Sequence, residues 1–332
     1  MIEHGGRLNA AVRRTGIPRG RWLDLSTGIN PVPWPVPELP PRVWQRLPEP
    51  DDGLVEVIRD WSGAPSDAAV VPLPGSQAGI QRLPRLRRPG RVGIPAPSYA
   101  EHGLWWRRAG HQVVEFNMAD SEDWIDQLDV LVCINPNNPT GNRIDPDVLL
   151  DWHRRLARRD GWLVVDEAFM DGYEGASLVP RSGPEGLVVL RSLGKFFGLA
   201  GVRAGSLFGP AGLCEELSEA LGPWALSHPA RQIMRQALQD TAWQQRTLDR
   251  LGHDTKRLQT LLTAKGLEPT GGTWLFQYCP HASAKALAEA LELQAVLVRT
   301  FTTPPALRFG LPGTEAQWRH LEKALASLGL PG

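Results

Sequence analysis

The sequence predicts an α/β protein, with a mostly parallel sheet of the seven-strand type in a large domain and a small α+β domain at the C-terminal end. Three observations carry that expectation. The chain has 332 residues, more than one hydrophobic core usually accommodates, so a large domain and a smaller one are expected, with a cleft between them. From about residue 54 onward, short apolar runs recur between helix-sized amphipathic stretches. After Gly222-Pro223 the pattern changes to a long polar–apolar stretch and then to short strand-like segments.

Residues 1–50 are rich in Pro and Trp, and Pro31, Pro33, Pro35, Pro37, Pro40 and Pro41 oppose regular helix or strand pairing. This segment is expected to form an extended arm over the active site. The large domain, 51–225, holds the apolar runs Val70–Leu73, Arg91–Ile94, Val113–Phe116, Val130–Ile134, Trp162–Val165, Leu187–Leu190 and Ala204–Phe208. Continuous apolar runs of this length fit strands buried on both faces, as in a parallel sheet covered by helices. The remainder, 226–332, is expected to be a bridging helical stretch, roughly Pro229–Lys265, followed by the small domain. There Leu275–Cys279, Ala295–Phe301 and Ala306–Leu311 read as strands, the last two flanking the turn signal Pro304-Pro305, and Ala284–Leu293 and Glu315–Leu328 read as helices.

Composition narrows the function. Thirty-six basic and 36 acidic side chains cancel, so no broad field draws the chain to nucleic acid or an anionic membrane. Small-molecule chemistry is the expectation. The start, Met1-Ile2-Glu3-His4, has neither a basic flank nor an apolar core of a leader, and no stretch reaches 18 uncharged apolar residues, so a cytoplasmic protein is expected. Cys133, Cys214 and Cys279 are odd in number, widely spaced and set in apolar runs, which suggests buried thiols rather than disulfides or a zinc site; no metal is expected. Five of the 36 basic residues are lysines, and four of these lie in polar, helix-like stretches. Lys195 alone sits among small and aromatic residues.

Lys195 lies in Ser192-Leu193-Gly194-Lys195-Phe196-Phe197-Gly198, directly after an apolar run, so it should leave the carboxyl end of a strand on a loop. Ligands of open α/β sheets bind at that edge. Flanked by Phe196 and Phe197, the amine is expected to be partly desolvated, which lowers its pKa and frees it to attack an aldehyde. Ser192 and Arg203 bracket it with groups suited to a phosphate. Taken alone, the segment also fits a surface lysine in a Gly-rich loop.

The neighbouring segments favour the chemical reading. Val164-Val165-Asp166-Glu167 places an acid at the end of a buried run, where a carboxylate is costly unless a cation meets it. A pyridinium nitrogen is such a cation, and a carboxylate partner keeps the ring protonated and able to accept electrons. Asp-Glu after a strand also occurs in metal-assisted nucleotide hydrolases, but no Gly-rich loop ending in Lys-Ser or Lys-Thr precedes it. Ile134-Asn135-Pro136-Asn137-Asn138-Pro139 is a rigid turn that could aim an amide at a phenolate oxygen. Pro74-Gly75-Ser76-Gln77 opens a helix and offers backbone N–H groups to an anion, and Tyr99 could cover a planar ring or serve as ordinary packing.

Together, Asn138-Pro139-Thr140-Gly141, Asp166 and Ser192 with Lys195 and Arg203 resemble the aminotransferase-type (fold-type I) pyridoxal-phosphate (PLP) enzymes, over nearly the whole chain. The resemblance implies that PLP is the cofactor, that Lys195 is its Schiff-base lysine and that Asp166 partners its pyridine nitrogen. It places Asn138 on the phenolate oxygen, Gly75, Ser76, Gln77, Ser192 and Arg203 on the cofactor phosphate, and Tyr99 over the ring. It also puts Arg308 on the substrate α-carboxylate, and it implies a homodimer, to which Trp34 and Trp44 could contribute interface area.

Within that group the chain is most similar to the threonine-phosphate decarboxylases of cobalamin biosynthesis, with the histidinol-phosphate aminotransferases as near relatives. His4-Gly5-Gly6 and Leu25-Ser26-Thr27-Gly28-Ile29-Asn30-Pro31 carry that similarity. It implies that His4, Gly5, Gly28, Asn138 and Arg299 contact a phosphorylated amino-acid substrate, Gly28 through its backbone because some members have Asn there. Phe169 stands where many aminotransferases have Tyr, and it cannot donate a hydrogen bond to the cofactor. The expected activity is decarboxylation of L-threonine O-3-phosphate, against an aminotransferase acting on histidinol phosphate or a PLP-binding sensor without turnover. A dinucleotide-binding scaffold lacks its Gly-x-Gly-x-x-Gly fingerprint after a strand.

Overall fold

The computed structural model describes residues 4–117 and 122–330, so Met1, Ile2 and Glu3 of the expected arm lie outside the described residues. In chain order the strands are β1 (Leu23–Asp24), β2 (Ala69–Leu73), β3 (Arg91–Pro95), β4 (Gln112–Phe116), β5 (Val130–Ile134), β6 (Trp162–Asp166), β7 (Leu187–Ser192), β8 (Gly205–Gly209), β9 (Gly271–Thr273), β10 (Phe276–Pro280), β11 (Val296–Leu297), β12 (Arg299–Thr302) and β13 (Pro305–Gly310). The chain divides into two compact units. One comprises Trp34–Asn138 and Arg143–Gln244; the other comprises the chain up to Pro33, Pro139–Asn142 and the chain from Gln245 onward.

The larger unit is built on a seven-stranded sheet of order β2-β8-β7-β6-β5-β3-β4. β8 runs antiparallel to β2 and β7, and every other neighbouring pair is parallel. The apolar runs form these strands because helices cover both faces: every residue of β5 is buried, and Leu190 and Leu207 are fully enclosed with Val164 and Trp106 in one core. Truncating such a side chain, Leu190→Ala for instance, costs about 2–5 kcal/mol. The strand directions position the chemistry. β2, β5, β6 and β7 all end at one edge of the sheet, and β8, being antiparallel, begins there, with Leu73, Gly205 and Ser192 in register across it.

The second unit contains an antiparallel sheet of order β12-β13-β10-β9 and a two-stranded parallel sheet of β1 and β11. Helices Ala284–Leu293 and Glu315–Ala326 accompany them, the latter capped by the Thr314 side chain, which accepts from the Gln317 N–H. Two expectations are corrected here, and one strand was not anticipated. The run Ala295–Phe301 is two strands, interrupted at Val298, because β11 pairs with β1 whereas β12 pairs with β13. β9 carries no apolar signal; its Gly271 and Gly272 are there for close approach, a Cβ on Gly271 meeting the Thr140 carbonyl at 2.2 Å. The N-terminal segment is not simply extended. It forms a helix, Leu8–Thr15, ended by Gly16 in the left-handed region (φ 74°), then β1, and a short helix, Pro41–Gln45, whose Pro41 occupies a first-turn position where no N–H is needed. Residues 31–40 are free of helix and strand, as their prolines require.

The expected bridging stretch is two helices, His228–Gln239 and Thr241–Thr263. All three cysteines are buried free thiols. Among the described residues no helix is long and apolar enough to cross a membrane.

Candidate active site

Each strand that ends at the shared edge of the large sheet delivers one piece of a cavity. Ser76, Gln77, Tyr99, Asn138, Asp166, Ser192, Lys195 and Arg203 all line it. Asp166 is the last residue of β6 and is 3% exposed. One carboxylate oxygen accepts the Ala168 N–H at 3.0 Å, and the other lies 2.9 Å from His102 Nε2. His102 escaped the sequence reading because it lies 64 residues away, on the buried face of helix Ala100–Arg108.

Lys195 follows β7 in a turn closed by the Gly198 N–H on its carbonyl at 3.1 Å. The ring facing its amine is Phe169, with Nζ 5.2 Å from the centroid. The two rings that follow Lys195 in sequence also reach Trp243: Phe197 stacks on it at 5.6 Å and Phe196 meets the same indole edge-on. Phe169, read as a lost hydrogen-bond donor, is instead the apolar wall beside the amine.

Of the three asparagines after β5, only Asn138 lines the cavity. Asn135 closes the loop on itself, exchanging side-chain hydrogen bonds with the backbone of Ile144 at 2.9 and 3.1 Å, and Asn137 donates to the Pro97 carbonyl at 2.9 Å. Tyr99 is oriented by a relay: its hydroxyl donates to Gln77 Oε1 at 3.2 Å, and Gln77 donates to Glu101 at 2.9 Å. Burial first, then the charges of Glu101 and Asp166, push the Tyr99 hydroxyl up to about 12, so it stays a donor.

Gly75 adopts φ 77°, and a Cβ there would lie 2.6 Å from Arg203 Nη2. The missing side chain is the space the guanidinium occupies. Arg203 is itself left-handed (φ 56°), a conformation that costs a non-glycine residue about 1–2 kcal/mol. Behind the site, the fully buried Glu167 accepts from Ser177 Oγ at 2.6 Å and the Leu178 N–H at 2.7 Å and faces Arg191 at 3.6 Å. Burial pushes its carboxyl up to about 7 against the pull of Arg191. Glu167 therefore fastens the loop after β6, whereas Asp166 faces the cavity.

The donor set fits PLP. Gly75 leaves room for Arg203 beside Ser76 and Ser192, an anion cradle; Asp166 is a buried carboxylate at the cavity wall; Lys195 is an amine against an apolar ring; Tyr99 presents a held aromatic face.

Apart from Asn138, the residues expected to meet substrate lie in the second unit. Arg299 on β12 and Arg308 on β13 are direct cross-strand partners. Arg308 is 5% exposed, donates through Nη2 to the Ser26 carbonyl at 2.8 Å, and is pushed down to about 9 by burial and then by the charge of Arg299. Like charges directly opposite on a sheet repel, which adds to the cost of burying Arg308. His4, Gly5, Ser26 and Arg299 line one cavity together with Arg7 and Arg14, and Arg14 is committed to Glu292 through bonds of 3.0 and 2.6 Å. Arg308 and Gly28 are outside that lining; Gly28 sits buried in the loop after β1 with φ 60°.

Comparison with known proteins adds the following. The model of the aminotransferase class I and II family matches residues 45–325. A threonine-phosphate decarboxylase of Pseudomonas aeruginosa is 49% identical over 331 residues, 100% of this chain and 99% of its own length. Another, from a Sinorhizobium species, is 38% identical and covers 99% of each. The fold is that of a histidinol-phosphate aminotransferase from Sinorhizobium meliloti solved with pyridoxal-5'-phosphate, at a TM-score of 0.80 and 16% identity, covering 97% of this chain and 95% of that one.

Proposed function

Because this chain belongs to the aminotransferase class I and II family, we propose that it is a PLP enzyme that decarboxylates L-threonine O-3-phosphate to (R)-1-amino-2-propanol O-2-phosphate, a building block of the cobalamin nucleotide loop. The observation that carries the reading is the Arg299–Arg308 cross-strand pair, two arginines at facing register positions, the first of them lining a cavity with His4 and Gly5, as a substrate bearing both a phosphate and a carboxylate would need. The full-length relatives named for that activity point the same way.

When bound, the cofactor supplies an electron sink for the pair released as a bond to the amino acid's Cα breaks. The roles of the residues follow from their chemistry. Lys195 would hold the cofactor covalently through Nζ, and Gly75, Ser76, Gln77, Ser192 and Arg203 would take its phosphate. Asp166 keeps the proton on the ring nitrogen, and His102 fixes the orientation of that carboxylate. Asn138 donates its amide to the phenolate oxygen and reaches the substrate, and Tyr99 covers the ring. On the substrate, Arg299, His4 and Gly5 take the phosphate, Arg308 takes the carboxylate, and Gly28 contributes backbone. Once the substrate amine has displaced it from the cofactor, the Lys195 amine would be the group placed to return a proton to Cα after CO₂ has left. The working form is a cytoplasmic homodimer. Trp44, Leu47 and Trp224, at 67%, 61% and 58% exposure, offer apolar surface for a second copy, whereas Trp34, at 6%, is buried and bonded to Asp240.

Product analysis tests the reading. Threonine phosphate should release CO₂ over many turnovers with no keto acid present. A single stoichiometric conversion of histidinol phosphate, with no CO₂ from threonine phosphate, would overturn it in favour of a transaminase.

A further inference from the structure

We propose that Ser26 is a positioning residue that couples two anion-binding elements, the His4-Gly5-Gly6 segment and Arg308, so that both are set by one backbone position; this rests on the reading of those elements as the substrate's phosphate and carboxylate contacts. Ser26 is 2% exposed and uses every polar atom it has. Its N–H and hydroxyl both donate to Asp24 Oδ1, at 2.9 and 2.6 Å. With the single hydroxyl proton committed to Asp24, the Oγ lone pairs remain to accept the Gly6 N–H at 2.7 Å. The Ser26 carbonyl accepts the charged Arg308 guanidinium at 2.8 Å.

The segment carrying Ser26 is itself held from two sides. The Leu25 N–H donates to the Leu297 carbonyl at 2.8 Å, beside the strand that leads to Arg299, and the Gly310 N–H donates to the Leu25 carbonyl at 2.7 Å, at the end of the strand that carries Arg308. Gly5 is seated directly on this point: a Cβ there would fall 2.2 Å from the Ser26 carbonyl oxygen. Only glycine permits that approach, and any side chain would push the carbonyl that orients Arg308. One displacement of Ser26 therefore moves the N-terminal segment and the guanidinium together.

The experiment uses the holoenzyme and reads two signals, hydrogen exchange of the N-terminal peptide and steady-state kinetics. Ser26→Ala removes the acceptor of the Gly6 N–H, so exchange in that peptide should rise roughly 2- to 10-fold, the scale of one net hydrogen bond. KM for threonine phosphate should rise by a similar factor while kcat changes little. Gly5→Ala perturbs the same carbonyl from the other side without touching the hydroxyl, and should reproduce the rise in KM. Arg299→Ala separates the proposal from the reading beneath it: KM should rise with the N-terminal peptide still protected. Wild-type exchange in Ser26→Ala, or a fall in kcat with KM unmoved, would refute the coupling. An unaltered KM in Arg299→Ala would instead remove the phosphate assignment.

Discussion

Replacing Arg299 with Ala should change specificity far more than stability. Arg299 stands directly across from Arg308, whose guanidinium is held down to about 9 by burial and by that neighbouring charge. For a base, a depressed folded-state pKa means that folding opposes the charged form. Removing Arg299 therefore relieves Arg308 by about 0.2–1 kcal/mol, near the lower end because Arg299 is only half-buried and water screens it, and this relief offsets the Phe301 ring contact that is lost with Arg299. Substrate recognition should suffer far more. Losing a desolvated, charge-assisted contact to the phosphate costs about 2–5 kcal/mol, or roughly 30- to several-thousand-fold in kcat/KM for threonine phosphate. Threonine, which has no phosphate to lose, should be scarcely affected. Denaturant titration and parallel kinetics on the two substrates measure both halves. Equal losses on threonine and threonine phosphate would refute the assignment of Arg299 to the phosphate.

Three further outcomes follow from the geometry. Asp166→Ala should lower kcat by roughly 10²–10³-fold, the scale of losing a preorganised electrostatic partner, and should strip His102 of its acceptor, whereas Asp166→Glu should lose less; wild-type turnover in the alanine variant would remove the electron-sink argument. Gly75→Ala sets a Cβ 2.6 Å from Arg203 Nη2 at φ 77°, a strain of about 1–3 kcal/mol, so dialysis should strip the cofactor faster than from wild type, and unchanged retention would count against the phosphate cradle. Sedimentation at micromolar concentration should show a dimer, and an active monomer would contradict the role given to Trp44, Leu47 and Trp224.

The sheet was legible because its strands are apolar without interruption. Val130–Ile134 is buried at every position, and such a run admits few other readings. The same feature made Asp166 and Lys195 legible, since a lone acid or lysine at the end of such a run stands out against its surroundings. What local pattern could not supply was partners distant in sequence. His102 reaches Asp166 across 64 positions, and nothing in Glu101-His102-Gly103 marks it as anything but a helix residue. Phe169 faces the Lys195 amine from the loop after β6, a neighbour in space that adjacency in sequence does not reveal. The prolines at 31–40 signalled an extended segment correctly, but helix Leu8–Thr15 was hidden by its polar Arg13-Arg14-Thr15 end, and the break at Val298 left no mark in a run of apolar residues.

The most direct measurement is borohydride reduction of the purified holoenzyme, followed by peptide mass spectrometry. The geometry places one lysine amine in the cavity with Asp166, so the reduced cofactor should be found on the peptide carrying Lys195, and Lys195→Ala should abolish both the adduct and CO₂ release. An adduct on Lys256, Lys265, Lys285 or Lys323, or sustained turnover in Lys195→Ala, would contradict the account.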